Sequence, residues 1–291
     1  MHLSSALSAV LAPLICGITA SLLFGREQEK VKAGLLFHSV VPSPSLSMSQ
    51  MSADKFQQFL HLLKANGKTT NTLSQHCKNQ DNNSIVLSFD DGLEDFYTYA
   101  YPLLEKMGFK ATLFPIAEYV GKEVNWDVFG TKKHCSEKML REISDSGHEI
   151  GSHSLTHANL PWLNDKALCH ELRISKNILE NITGKEVKSI SFPFGSWNER
   201  VWEAAKQNGY KFGTIYRRHK YARADLLPVF GVYRFDSPDE IYQKAFPENR
   251  FPIPRISAKI MSHFSKGSPL WKFRENYTEL KCERSGFRKT V

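Results

Sequence analysis

Asp90 and Asp91 stand side by side after the run Ile85-Val86-Leu87-Ser88-Phe89, and Gly92 follows them. Two like charges at one point repel, so each resists ionisation beside the other. A divalent cation bound by one carboxylate resolves the conflict and leaves the second free as a base. Suitable donors recur downstream in His153-Ser154-Leu155-Thr156-His157. These are two imidazoles four residues apart, a spacing that puts both rings on one face of a helix. One carboxylate and two neutral imidazoles leave positions open for water and substrate, the donor set of a catalytic zinc site. The chemistry this implies is metal-assisted hydrolysis. Alone, Asp90-Asp91 reads better as a solvated loop pair with an Asx turn, and the histidines as polar caps at a helix start. Together, the two motifs favour the cation.

Such residues act only if the fold brings them together. The apolar run before Asp90 predicts a buried parallel strand, and Gly92 permits a sharp turn after it. Short apolar runs at 33–38, 111–116, 149–151, 189–192, 212–216 and 229–233 predict further strands. Helical periodicity predicts helices over 54–66, 97–107, 136–146, 164–182 and 198–207, with Ser136 as an N-cap and glycines as stops. Residues 71–84 read as polar and irregular. Strands alternating with helices predict an α/β fold with a parallel sheet. In a β/α barrel the reactive groups gather at the strands' C-terminal ends. His38, Asp90-Asp91, His153 and Pro193-Phe194 each fall just after an expected strand.

The chain has 291 residues and a formal net charge of +8. That balance suits an anionic surface, including peripheral contact with a membrane. Basic residues form no stripe with interleaved aromatics, which argues against nucleic acid as a partner. Five cysteines without a CxxC pair argue against a disulfide framework and a thiolate cage. Residues 1–30 form an apolar leader. It lacks the basic start of a signal peptide and is less hydrophobic than a spanning helix, so the expectation is a packed or surface-lying helix. A cytoplasmic or membrane-associated location is therefore expected over a secreted one. Residues 31–235 are expected to form the main domain. Residues 236–291 are expected to form a basic C-terminal extension with a helical stretch at 256–264.

Phe89-Asp90-Asp91-Gly92, Gly147-His148-Glu149-Ile150-Gly151-Ser152 running into His153–His157, and Phe192-Pro193-Phe194-Gly195-Ser196 occur in that order. Over residues 31–235 this pattern resembles the NodB-homology polysaccharide deacetylases, carbohydrate esterase family 4. The resemblance implies a distorted (β/α)7 barrel. It also implies removal of N-acetyl groups from N-acetylhexosamine-containing glycans with one divalent metal. Zn2+ is expected first, though the same donors accept Co2+ or Ni2+. Carried over by motif, Asp91, His153 and His157 hold the metal, Asp90 is the general base, and the backbone N–H of Phe194 meets the oxyanion. Ser191 stands where the family commonly has an arginine that orients the base.

The proton donor to the leaving amine has two candidates. His263 lies late in the chain, as the acid of most members does. His38, in Leu36-Phe37-His38-Ser39-Val40, resembles the acid of the circularly permuted branch that includes the poly-β-1,6-N-acetylglucosamine deacetylases. That branch often lacks the arginine too, so His38 is the preferred acid, with a core histidine as the plainer reading. Trp126, Trp162 and Trp197 could stack on sugar rings or pack in the core. The rival functions are deacetylation of a lipid-linked or nucleotide-linked sugar or an O-acetyl ester, and a glycan-binding module without catalysis.

Overall fold

Period-two alternation along short parallel strands divides the interior into two separate cores. The computed structural model describes residues 33–247 except 46, 80, 82, 128–129 and 217–222, and it describes no side chain over 125–130. The apolar leader and the stretch around His263 lie outside the described residues. The strands are β1 (Gly34–Phe37), β2 (Ser39–Val41), β3 (Gln50–Ser52), β4 (Thr69–Asn71), β5 (Ser84–Phe89), β6 (Thr112–Leu113), β7 (Glu123–Asp127), β8 (Gly130–Lys133), β9 (Glu149–Ile150), β10 (Ser189–Ser191), β11 (Phe212–Tyr216) and β12 (Leu226–Gly231). The helices are α1 (Ala53–Ala65), α2 (Leu73–Asn79), α3 (Tyr101–Met107), α4 (Glu137–Asp145), α5 (Asp165–Thr183), α6 (Glu199–Gln207) and α7 (Pro238–Ala245).

The main sheet runs β10–β11–β12–β1–β5–β6–β9, and β4 pairs with the first half of β5. Every pairing along this path is parallel. The two ends of the path meet at Ser152. Its N–H donates to the Ser189 carbonyl at 2.9 Å, and its carbonyl accepts from the Ser191 N–H at 2.9 Å. The strands thus close into the (β/α)7 barrel, distorted because β6 and β9 contribute only two residues each.

Leu36, Val86, Phe114, Leu227 and Val229 fill the barrel interior, with Phe212 and Tyr216 packed against them. The alternate residues Leu35, Phe37, Leu87, Phe89, Leu113, Ile150, Ile190 and Ile215 face the helices. Between barrel and helices, Phe37 and Phe89 stack at 5.0 Å on paired positions of β1 and β5. Phe56 meets both rings edge-on, at 5.4 and 5.9 Å, and Phe96 meets Phe89 at 4.7 Å. The same alternation, carried one step past the strands, aims His38 and Asp90 into the barrel mouth.

Helix starts follow the expected chemistry. Ser52, Ser136, Asn164 and Asn198 each accept an N–H from the first turn of their helix. Helix α5 buries Leu168, Leu172, Ser175 and Leu179, the face its spacing predicts. Helix α7 carries a complete capping box at Ser237 and Glu240 and buries Ile241 in the outer core.

Some elements differ from expectation. The stretch read as irregular contains β4 and α2, too polar and too short for a periodic signal. The strand expected over 111–116 shrinks to β6, because Pro115 has no N–H for the ladder. The antiparallel hairpin β7–β8 was not foreseen. The helix expected from Tyr97 opens with a π-helical turn, Phe96–Ala100. Among the described residues no helix is long and apolar enough to cross a membrane.

The aromatic cluster gives a stability prediction. Phe89→Ala should cost about 3–5 kcal/mol, read by urea unfolding, because the surrounding rings cannot collapse fully into the cavity. A loss below about 1 kcal/mol would show that the cluster does not hold β1 and β5 together.

Candidate active site

Strand β5 ends by placing Asp90 against β1: the Asp90 N–H donates to the Phe37 carbonyl at 3.0 Å. Asp91 and Gly92 then both adopt left-handed backbone, with φ of 69° and 70°, and turn the chain back. A Cβ at Gly92 would lie 2.6 Å from the Pro115 Cα, so the turn admits only glycine. The turn aims the Asp91 carboxylate at the two imidazoles. Its Oδ1 lies 3.6 Å from both His153 Nε2 and His157 Nε2. The three donor atoms fall within 4.8 Å of one another, and all three residues are buried.

The histidine segment corrects one expectation. No helix carries the pair; residues 152–159 are a loop. The rings meet at a centroid distance of 4.9 Å because Ser154 and His157 are left-handed, with φ of 65° and 63°. Hydroxyls hold this shape: Ser152 Oγ accepts from the Ser154 N–H at 3.2 Å, and Ser154 Oγ accepts from the His157 N–H at 3.0 Å. Sequence reasoning missed the main support, Glu171 on α5. Its carboxylate accepts from the N–H groups of Leu155 and Thr156 at 2.9 and 3.0 Å, and from the Thr156 hydroxyl at 2.7 Å. Only 6% of Glu171 is exposed. A signal existed: Glu171 interrupts the apolar stripe of α5 between Leu168 and Leu172, where a charge needs a buried partner.

Each imidazole must be neutral to bind a metal. His153 Nδ1 lies 2.8 Å from the Ser191 carbonyl, so Nδ1–H donates and the Nε2 lone pair faces the carboxylates. Burial holds His153 down at about 3, with the nearby His38 adding to the depression. His148 is structural. Its Nδ1 accepts from the Ala111 N–H at 3.0 Å, and its Nε2 sits 3.0 Å from Glu105.

Asp90 stands beside this triad, with Oδ2 3.9 Å from His153 Nε2. Burial and the Asp91 charge push its carboxyl well above the ordinary range, and the Ser191 hydroxyl pulls it back. That hydroxyl donates to Oδ2 at 2.9 Å, so Ser191 fixes one oxygen of the Asp90 carboxylate. Among the described residues, buried Asp90 Oδ1 has no hydrogen-bond partner. An orphaned carboxylate oxygen, a second carboxylate and two imidazoles at one point form a donor set that fits a divalent cation.

His38 follows β1 directly, is half-buried, and lies close enough to His153 to influence its charge. The next residue, Ser39, donates its hydroxyl to Asp95, a carboxyl raised by burial to about 7. This link ties the exit of β1 to the segment just after Asp91. Phe194 sits in the turn Pro193–Gly195 with φ of 61°, its ring edge-on to His157 at 4.5 Å. Among the described residues, the left-handed residues other than glycine are Asp91, Ser154, His157 and Phe194, all at this site. Trp162 is 49% exposed in a turn just beyond His157. Trp197 stacks on Phe192 at 6.1 Å and packs against the outer core. Trp126 lies in β7, its side chain outside the described part, and His263 lies outside it altogether.

The family profile for polysaccharide deacetylase matches residues 77–213, the stretch from α2 into β11 that holds all three motifs. Over that stretch the chain is similar to the polysaccharide deacetylase family. Its similarity to the YxkH protein of Bacillus subtilis (strain 168) is 31% identity over 186 residues, 62% of each chain. The poly-β-1,6-N-acetyl-D-glucosamine N-deacetylase of Staphylococcus aureus (strain MRSA252) is 30% identical over 139 residues, 45% of this chain and 47% of that one. The chain therefore spans between about half and two thirds of those relatives' lengths. The crystal structure of a polysaccharide deacetylase from Bacillus cereus superposes with a TM-score of 0.63 at 25% identity. That match covers 73% of this chain and 68% of that one.

Two outcomes test the geometry. Glu171→Gln keeps the size but not the paired acceptors, and should weaken zinc affinity about 10–100-fold, measured by competition with a chelating dye. Unchanged affinity would mean the loop holds its shape unaided. His153 gives a pH test on metal-free protein. Its imidazole is held at about 3 in the fold, while the unfolded chain takes up that proton below roughly 6.5. The stability it contributes is therefore complete above the unfolded value and is lost as pH falls towards the folded one. Between pH 7.5 and 5 the Tm of wild type should drop more than that of His153→Asn; parallel slopes would contradict the buried neutral imidazole.

Proposed function

We propose that this chain is a metal-dependent N-deacetylase that releases acetate from N-acetylhexosamine units of a glycan. Poly-β-1,6-N-acetylglucosamine is the first substrate to test. The observation that carries the reading is the meeting of Asp91, His153 and His157 within 4.8 Å, with Asp90 beside them and His38 on the adjoining strand. The substrate class rests on the Staphylococcus aureus relative, and on the early histidine and the missing arginine that mark the permuted branch.

Asp91, His153 and His157 would hold the cation, with Zn2+ the first choice and Co2+ or Ni2+ accepted by the same donors. Bound there, it supplies Lewis acidity that polarises the acetyl carbonyl and acidifies water. Asp90 takes a proton from water as its oxygen attacks the carbonyl carbon. Ser191 holds the base by its Oδ2. The Phe194 N–H, presented by the left-handed turn, donates to the developing oxyanion. As the C–N bond breaks, His38 gives a proton to the departing nitrogen, so amide and water become amine and acetate. Its half-buried position lets it exchange protons with solvent between turnovers.

The division of roles is testable by acetate release from N-acetylated oligomers, with zinc removed and restored. Asp90→Asn should keep its metal and lose about 10²–10⁴-fold in kcat. Asp91→Ala should lose the metal itself. His38→Ala should keep metal and fall by a similar factor; if it stays active while His263→Ala does not, the acid is His263. Wild-type rates in both aspartate variants would end the hydrolase reading.

A further inference from the structure

The barrel mouth presents one more polar side chain that the mechanism above leaves unused. We propose that Tyr216 contacts the substrate, its hydroxyl donating a hydrogen bond to the acetamido group of the bound glycan. The inference rests on the deacetylase reading and adds a residue to it.

Position comes first. On β11 the inward residues are Phe212, Thr214 and Tyr216, since Phe212 and Tyr216 pack against the interior core while Ile215 packs against the helices. Tyr216 is the last residue of its strand. Thr214, two residues earlier on the same face, is the register partner of Ser191 on β10, so Tyr216 stands just past the end of that strand, beside the Pro193–Gly195 turn. A strand-end, inward-facing polar residue in such a barrel stands where substrate is handled.

Orientation comes second. The tyrosine ring lies directly on Gly195: a Cβ there would fall 1.9 Å from Tyr216 Cδ2 and 2.4 Å from Cε2. Gly195 is itself left-handed, with φ of 60°, and follows Phe194 in the turn that presents the oxyanion N–H. The ring is clamped against the back of that turn, so the phenol is fixed relative to the oxyanion donor.

Chemistry comes third. The Tyr216 hydroxyl makes no hydrogen bond within the described residues, and it lies within electrostatic reach of Asp90, Asp91 and Tyr233. Burial and those carboxylates hold the phenol protonated well beyond its ordinary range. A neutral O–H beside two carboxylates is a donor, and the acetamide carbonyl is the acceptor that develops charge during attack. A second oxyanion donor beside the Phe194 N–H is the arrangement that follows.

The test separates hydroxyl from ring. In the full zinc-loaded chain, Tyr216→Phe keeps the ring on Gly195 and should leave metal content and Tm unchanged. Acetate release from poly-β-1,6-N-acetylglucosamine oligomers should then fall at least about fivefold in kcat, with KM moving less, since the bond strengthens in the transition state. A smaller fall in kcat overturns the proposal. If the Phe variant loses metal, 3,5-difluorotyrosine at 216 keeps the shape and acidifies the phenol. The stronger donor must then change the acetate-release rate at unchanged metal content, and an unchanged rate overturns the proposal. If wild type releases no acetate at all, the deacetylase reading fails. Calorimetric binding of acetate to zinc-loaded protein then decides Tyr216 alone: weaker binding by Tyr216→Phe supports it, and equal binding refutes it.

Discussion

Burying two adjacent carboxylates at the end of one strand is the constraint on which the rest of this structure depends. Asp90 and Asp91 are 4% and 7% exposed, so neither their mutual repulsion nor their desolvation is relieved by water. The protein answers each cost separately. Asp91 is swung by its left-handed backbone towards two buried imidazoles, of which His153 is held neutral by burial and oriented by the Ser191 carbonyl. Asp90 stays in line with β5 and receives the Ser191 hydroxyl. Ser191 thus serves both halves of the site from a single residue, its backbone orienting His153 and its hydroxyl holding Asp90.

Strain and support are distributed accordingly. Left-handed backbone costs an ordinary residue about 1–3 kcal/mol, and it falls at Asp91, Ser154, His157 and Phe194. Each of these positions is overdetermined by neighbours. Pro115 closes on Gly92, Glu171 and two serine hydroxyls hold the histidine loop, and Tyr216 backs the Phe194 turn. The helices contribute more than a shell around the barrel. Helix α5 reaches through its apolar face with a carboxylate to shape a loop of the site.

What the sequence made legible follows from which signals are local. The run from Ile85 to Phe89, the helix caps at Ser136 and Asn198, and the glycine stops are short-range features, and the structure places them within a residue or so of expectation. The convergence of His38, Asp90, Asp91, His153 and Phe194 was legible because one rule, chemistry at strand ends, applies to all of them. The histidine loop was misjudged for the same reason that made it visible. A four-residue spacing suggests a helix, yet two left-handed residues achieve the same approach of rings in a loop. Glu171, Ser191 as a hydrogen-bond donor, and the Asp95–Ser39 link act between segments far apart in the chain. Pairing of that kind has no periodicity, and it becomes visible only once the strands are ordered.

That ordering also explains how the proposed acid can come first in the chain. In the closed ring β1 lies between β12 and β5, and Phe37 sits beside Phe89 in register. A histidine one residue past β1 therefore stands next to Asp90 one residue past β5. A side chain leaving the end of β12 on the other flank of β1 would reach the same mouth, because a closed ring has no first or last strand in space. Which segment would carry the proposed acid is thus a matter of where the chain is cut, since β12 and β1 both end at this mouth. His38 has a fixed backbone there, since the Asp90 N–H is bonded to the carbonyl of Phe37, the residue before it. Asp90 and His38 are thus spaced by a sheet hydrogen bond, which is stiffer than a loop.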